Sequence, residues 1–204
     1  MGTSMLPAGW SLLVTFWIWL MGRLPGDSMP ALHWAPVSTV IHGRTVYPPI
    51  GDGGAKLDDF ADFTTFGIAT SLLLRTESLL DNILCMCYVL SVFTRLCFFS
   101  SGIPFMYRGL PCIYSSAILA CVSLLCGGNI VALRITAVAM ILFMISHNFY
   151  PHDRVLESQA WKKVIYAGGV AMVFCSSFPP ACVYYLLWSM SYILFPTSLW
   201  SCKV

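Results

Sequence analysis

A chain of 204 residues with 58% hydrophobic and only 10% charged side chains, and a mean hydropathy of +0.77, has too few polar groups to cover a soluble globule. A formal net charge of +2, with no basic run and no aromatic-basic platform, gives no footing for a nucleic-acid partner. The surplus apolar surface is read as facing lipid. The expected fold class is all-α, a multi-pass transmembrane helical bundle, with membrane lipids as its partners.

The first apolar run, Trp10 to Met21, is shorter than the roughly 20 residues that cross a bilayer core. No basic stretch precedes it and no small-residue cleavage site follows, so a short anchor or re-entrant piece is expected rather than a cleaved signal. Gly22 to Pro49 carries scattered Pro, Gly and His without periodicity and reads as an irregular loop. Residues 1–56 therefore form an N-terminal apolar segment plus loop, and 57–204 the membrane domain.

From Leu57 onward six apolar segments follow in quick succession: Leu57 to Leu74, Leu79 to Ser100, Pro111 to Leu125, Ile130 to Tyr150, Val164 to Phe178 and Ala181 to Trp200. With the N-terminal run they make about six or seven membrane helices, antiparallel in sequence order because the links are short. Ser78 and Asp81 have the spacing of an N-cap with an acidic third residue. Gly127 with Gly128, and Pro179 with Pro180, separate consecutive segments. The polar cluster His147, Asn148, His152 and Asp153 sits at a helix end and reads as a loop rather than a metal site.

Basic residues collect on cytoplasmic loops. With the loop before Leu57 cytoplasmic, Arg23, Arg44, Lys56, Arg95, Arg108, Arg154, Lys162, Lys163 and Lys203 fall on that side and Arg75 on the other. Arg134 lies within a helix, free either to snorkel or to point into the bundle. The nine cysteines show no CxxC pair and no His-Cys metal spacing, and are read as packing thiols; Cys202, just past the last run, has a palmitoylation-like position.

Gly54, Asp58 and Asp62 are spaced by four, which puts them on one face of a helix, with Asp59 about 100° away. Like charges one turn apart repel and are costly to desolvate at a membrane boundary. Two readings stay open on spacing alone. The carboxylates hold a divalent cation, or they solvate a helix end and suit its dipole.

The stretch from Leu57 to Ala69, with Gly54, Asp58 and Asp62 in register, resembles the second half of the CDP-alcohol phosphatidyltransferase signature, Asp-x2-Asp-Gly-x2-Ala-Arg followed by Gly-x3-Asp-x3-Asp. Phe66-Gly67 and the apolar helix beyond it are closest to the phosphatidylserine-synthase-like branch. Thr94-Arg95-Leu96 and Gly109-Leu110-Pro111 are similar to later segments of that branch. The resemblance covers about Gly54 to Ala120. It implies a six-helix bundle, often a homodimer, with a cytosolic cleft that holds a divalent cation, magnesium or manganese, and a CDP-lipid. Carried onto this chain, it makes Asp58 a metal ligand and Asp62 both ligand and catalytic base, with Gly54, Arg95 and Arg108 on the substrate.

The first half of the signature is missing. Counting back from Gly54, its Asp, Asp, Gly, Ala and Arg positions hold Val37, Val40, Ile41, Arg44 and Thr45, and His33 and His42 stand isolated. Half of the metal-binding carboxylates are thus absent. The expected function is that of a membrane protein related to these enzymes of phospholipid biosynthesis but inactive in this form. It is either a dead relative or a variant whose N-terminal segment replaces the one that completed the site. The alternative is a non-enzymatic scaffold that binds lipid or a partner, and a channel or transporter is a third. An internal membrane such as the endoplasmic reticulum is the expected location.

Overall fold

The computed structural model describes residues 59–60, 62–98, 106–151, 160–175 and 178–196. The N-terminal run, Gly54, Asp58, Arg154 and Lys203 lie outside them. A leading segment opens with a π-helix, Phe63–Ala69, and ends in a 3-10 turn, Leu72–Leu74. Five α-helices follow: α1 Leu79–Phe98, α2 Cys112–Leu125, α3 Ile130–Ile145, α4 Ala160–Cys175 and α5 Phe178–Leu194. Two short strands, β1 Met106–Arg108 and β2 Phe149–Pro151, pair antiparallel, with Tyr107 opposite Tyr150.

Helix α2 is the hub. Every residue from Cys112 to Cys121 is buried, and the helix packs against α3, α5 and the leading segment. A helix apolar all round belongs inside, and α2 also buries Ser115 and Ser116, the latter bonding its hydroxyl back to the Ile113 carbonyl. Around it the outer helices turn apolar stripes away from the protein at helical spacing. These are Ile83, Met86, Leu90 and Phe93 on α1, Val131, Ile135, Val138 and Leu142 on α3, and Val183, Leu187, Met190 and Leu194 on α5. Apolar outside with Asp81, Ser91 and Arg95 buried inside is the arrangement of a protein whose solvent is hydrocarbon. Among the described residues one helix, α1, is long and apolar enough to cross a bilayer. Phe63–Leu74, α2 and α3 are apolar but shorter.

Three expectations change. The segment expected to run from Ile130 to Tyr150 as helix stops at Ile145, and Phe149–Pro151 becomes β2, so the all-α reading gains a small two-stranded ladder. Its apolar residues misled because Tyr150 is buried in the ladder rather than on a helix face. Pro179 and Pro180 still mark the break between α4 and α5, but they lie within the first turn of α5, where a missing N–H costs nothing, rather than between the two helices. Lys162, expected in a basic loop, lies in the first turn of α4 and is buried, its Nζ 5.4 Å from the Trp161 ring centroid. The cysteines divide: Cys112, Cys121 and Cys182 are buried, whereas Cys87, Cys97 and Cys126 are exposed.

At the end of the bundle that carries the ladder, Tyr192 of α5 stacks on Tyr114 of α2, centroids 4.2 Å apart, and on Tyr150 at 5.6 Å. Its hydroxyl donates to the Pro151 carbonyl at 2.8 Å, so one side chain ties α2, α5 and β2 together. Helices α4 and α5 meet through small residues. A Cβ on Gly168 or Gly169 would come within 2.9 Å of the Tyr184 or Tyr185 hydroxyl, a closeness typical of helices packed in lipid.

Gly109 closes the turn from β1 into α2 at φ 75°. Its N–H bonds the Asn148 carbonyl at 2.8 Å, Leu110 N–H bonds that of Phe143 at 3.1 Å, and a Cβ would overlap the Met144 carbonyl oxygen. Gly127 also has positive φ but meets nothing within 4 Å. Gly109→Ala is therefore expected to destabilise the protein by roughly 3 kcal/mol or more, from backbone strain plus overlap. Gly127→Ala should cost about 1 kcal/mol, from strain alone. Thermal unfolding of both variants in detergent compares them, and equal losses would contradict the packing of Gly109 against α3.

Candidate functional site

The leading segment turns Asp62, Thr65, Phe66 and Ala69 inward. Asp62 is 6% exposed and caps the π-helix by position without a side-chain cap bond. Across from it, in the last turn of α1, Arg95 is 4% exposed and donates from Nη1 to the Cys112 sulfur at 3.4 Å. The Cys112 thiol, wholly buried at the start of α2, lies in the field of both the Asp62 carboxylate and the Arg95 guanidinium. Asp59, exposed one turn before Asp62, also feels the Arg95 charge. One turn or two deeper, Tyr88 of α1 and Ser115 of α2 share a hydrogen bond of 3.1 Å.

These two rungs, Arg95 to Cys112 and Tyr88 to Ser115, span two helices whose backbones approach each other less closely than either approaches α3 or the leading segment. Long polar side chains of α1 cross that space. A buried guanidinium is costly in a low-dielectric interior, and both it and the Asp62 carboxylate act on the Cys112 thiol.

Of the residues singled out from the sequence, Asp62 and Arg95 thus come together, from segments more than thirty residues apart. Arg108 stays exposed on β1, four residues before Cys112. Asp58 and Gly54 lie outside the described residues. Cys112 and Tyr88 were not singled out. Only the position of Cys112 directly after Gly109-Leu110-Pro111, at a helix start, could have flagged it. The described residues do not fit a divalent cation. Such an ion takes several ligands of net negative charge, and among the described residues no three His, Cys, Asp or Glu side chains are grouped to hold one.

A second charged group holds the opposite end of α1. Asp81, 2% exposed, accepts from Arg134 of α3 at 2.5 Å (Nε) and 2.8 Å (Nη2), and from the Thr76 hydroxyl. Ser78 still provides the carbonyl for the first helical bond, to Asn82 N–H at 3.2 Å. Asp81, however, turns across to α3 instead of completing a cap. Arg134, which the sequence left free to snorkel or point inward, makes this bidentate pair while remaining 43% exposed.

The fold and the compensated charges inside it define a helical integral membrane protein. No family model matches the chain. It is 52% identical over 147 residues to human Transmembrane protein 269, covering 72% of each chain, and 49% identical over 148 residues to the mouse protein of that name. The second alignment covers 72% of this chain and 58% of the mouse one, so the chain spans less than two thirds of that relative. The chain belongs to the Transmembrane protein 269 family, and its location is the membrane.

The Arg95 guanidinium and the Asp62 carboxylate both act on the buried Cys112 thiol, so their contributions are expected to be coupled. Arg95→Leu, which removes the buried guanidinium from the Cys112 sulfur, is expected to destabilise the protein by roughly 3 kcal/mol. The double variant Asp62→Asn with Arg95→Leu should recover more than half of that loss. Additive losses in a double-mutant cycle, read by thermal unfolding in detergent, would show that the two charges act independently.

Proposed function

We propose that the protein is a catalytically silent relative of the CDP-alcohol phosphatidyltransferases, retaining their membrane bundle and an internal polar cluster but not a working metal site. One observation carries the reading. Asp62, Arg95 and the Gly109-Leu110-Pro111 turn, each matched to that family from a different part of the chain, converge on Cys112 at one end of α2, whose thiol feels both charges.

The convergence supports common ancestry, and the missing carboxylates support silence. In the enzymes the resemblance points to, carboxylates hold a divalent cation, magnesium or manganese, that offsets the negative charge developing on the pyrophosphate of a CDP-lipid. Here Val37 and Val40 stand where two of those carboxylates belong. Transfer from CDP-diacylglycerol to serine, inositol or glycerol phosphate is therefore expected to stay at background in the purified chain, with magnesium or manganese present. CMP release that depends on either metal and is abolished by Asp62→Asn would overturn the reading.

The same reading makes the domain a bundle of six or seven spans in an internal membrane such as the endoplasmic reticulum, with the homodimer as its assembly. Arg154 and Lys203 are then cytosolic. In sealed vesicles, single cysteines at these positions should react with an impermeant thiol reagent added from the cytosolic side. Protection of either one would break the topology.

A further inference from the structure

Arg75, Thr76 and Glu77 lead into α1, and the middle residue is tied down. Its hydroxyl donates to the buried Asp81 carboxylate and accepts from the Ser78 N–H at 3.1 Å. With Thr76 held inward, Arg75 and Glu77 on either side of it are exposed. Among the described residues neither side chain makes an ion pair. Together with Asn82 they line a polar pocket of about 690 Å³. Asn82 also bounds an apolar groove of about 470 Å³ on the outer face of α1, lined by Phe63, Ile83, Met86, Leu90 and Phe93. Phe63 and Phe93 meet edge to face at the far end of the groove, centroids 5.8 Å apart.

We propose that pocket and groove together hold one phospholipid whose zwitterionic headgroup ends in a primary ammonium. The inference is independent of any relation to phosphatidyltransferases. The groove has the length of one leaflet. Asn82 to Phe93 rises about 16 Å along α1, and a hydrocarbon core of roughly 30 Å leaves about 15 Å to each leaflet. An acyl chain lying in the groove therefore brings its headgroup to the level of the pocket. The charges there are complementary to it: the Arg75 guanidinium suits the phosphate, and the Glu77 carboxylate with the Asn82 carbonyl oxygen accepts from the ammonium. A quaternary ammonium has no N–H to donate and is recognised by aromatic rings, and none of the described residues lining the pocket is aromatic. An anionic headgroup without an ammonium sets like charge against Glu77. An apolar run of this chain, or of a second copy, would cover the groove but leave the two charges beside it unanswered.

The test titrates the full chain, delipidated in detergent, with phosphatidylethanolamine, phosphatidylcholine and phosphatidylglycerol of identical acyl chains, and reads the bound fraction by native mass spectrometry. Phosphatidylethanolamine should bind roughly fivefold more tightly than phosphatidylcholine, the size of one exposed charge contact, with phosphatidylglycerol weakest. Glu77→Ala should erase the difference between the first two lipids. Arg75→Gln should weaken both by a similar factor, because they share the phosphate. Both side chains are exposed, so neither substitution disturbs the bundle. Equal binding of the three lipids, or a preference that survives Glu77→Ala, would overturn the proposal. A benzophenone amino acid in place of Met86 then locates the acyl chain. Irradiated in vesicles containing phosphatidylethanolamine, it should label that lipid, with a yield that falls several-fold when Arg75→Gln and Glu77→Ala are combined. The same probe in place of Ile135 on α3 should label lipid equally in both backgrounds. Adducts from Met86 within the same chain or to a second copy, or lipid labelling there that the double substitution leaves unmoved, would also overturn it.

Discussion

Compensation of charge inside an apolar bundle is the constraint on which the rest of this structure depends. Apolar surface alone cannot orient a helix in lipid, because the tails are as apolar as the side chains of a neighbouring helix. Helix α1 is oriented instead by its two buried charges. Asp81 near one end reaches Arg134 of α3, and Arg95 near the other reaches Cys112 of α2 with Asp62 close by. The fourteen helical steps from Asp81 to Arg95 place these fastenings about 21 Å apart. Fixed at both ends, α1 turns Tyr88, Ser91 and Val92 inward and Met86, Leu90 and Phe93 outward.

The hub is built on the same logic with neutral groups. Helix α2 has no charged residue; its buried Ser115 is met by a tyrosine of α1 and Ser116 by the helix's own backbone. What closes the structure around it is the end that carries the ladder. There the β1–β2 pairing, the Gly109 turn and the Tyr114, Tyr192 and Tyr150 stack bring together three stretches that are remote in sequence.

Much of the architecture was legible in the sequence because hydropathy reports membrane helices directly. Helix α2 starts within a residue of its expected bound, as Leu110 and Pro111 announce, and the break at Gly127 and Gly128 is where it was read. The ladder was not legible. In Phe149-Tyr150-Pro151 a strand of three residues has no periodicity to betray it, and its partner lies more than forty residues upstream. The candidate site was legible in half. Asp62 was found by spacing and resemblance, and Arg95 by resemblance alone. That a guanidinium and a carboxylate both act on the Cys112 thiol is a fact of three-dimensional proximity that no local spacing encodes. The positive-inside rule, by counting Arg95 as an anchor in a loop, pointed away from it. Asp81 misled in a similar way: the cap reading was local, and the bond it makes is to a residue fifty-three positions on.

The π-helix at Phe63–Ala69 has a consequence for how the family can vary. A π turn is an α-helix that has accommodated one extra residue, widening locally while the helix on either side keeps its phase. Loss of a single codon within this stretch would let it relax to an ordinary α-helix. Asp62 would then be rotated by about 100° relative to Thr70 and Ser71, which are buried on the far side of the bulge. The length of seven consecutive residues, rather than the identity of any one of them, thus sets which way the buried carboxylate faces. A substitution-tolerant but deletion-intolerant segment is the pattern of variation this geometry imposes.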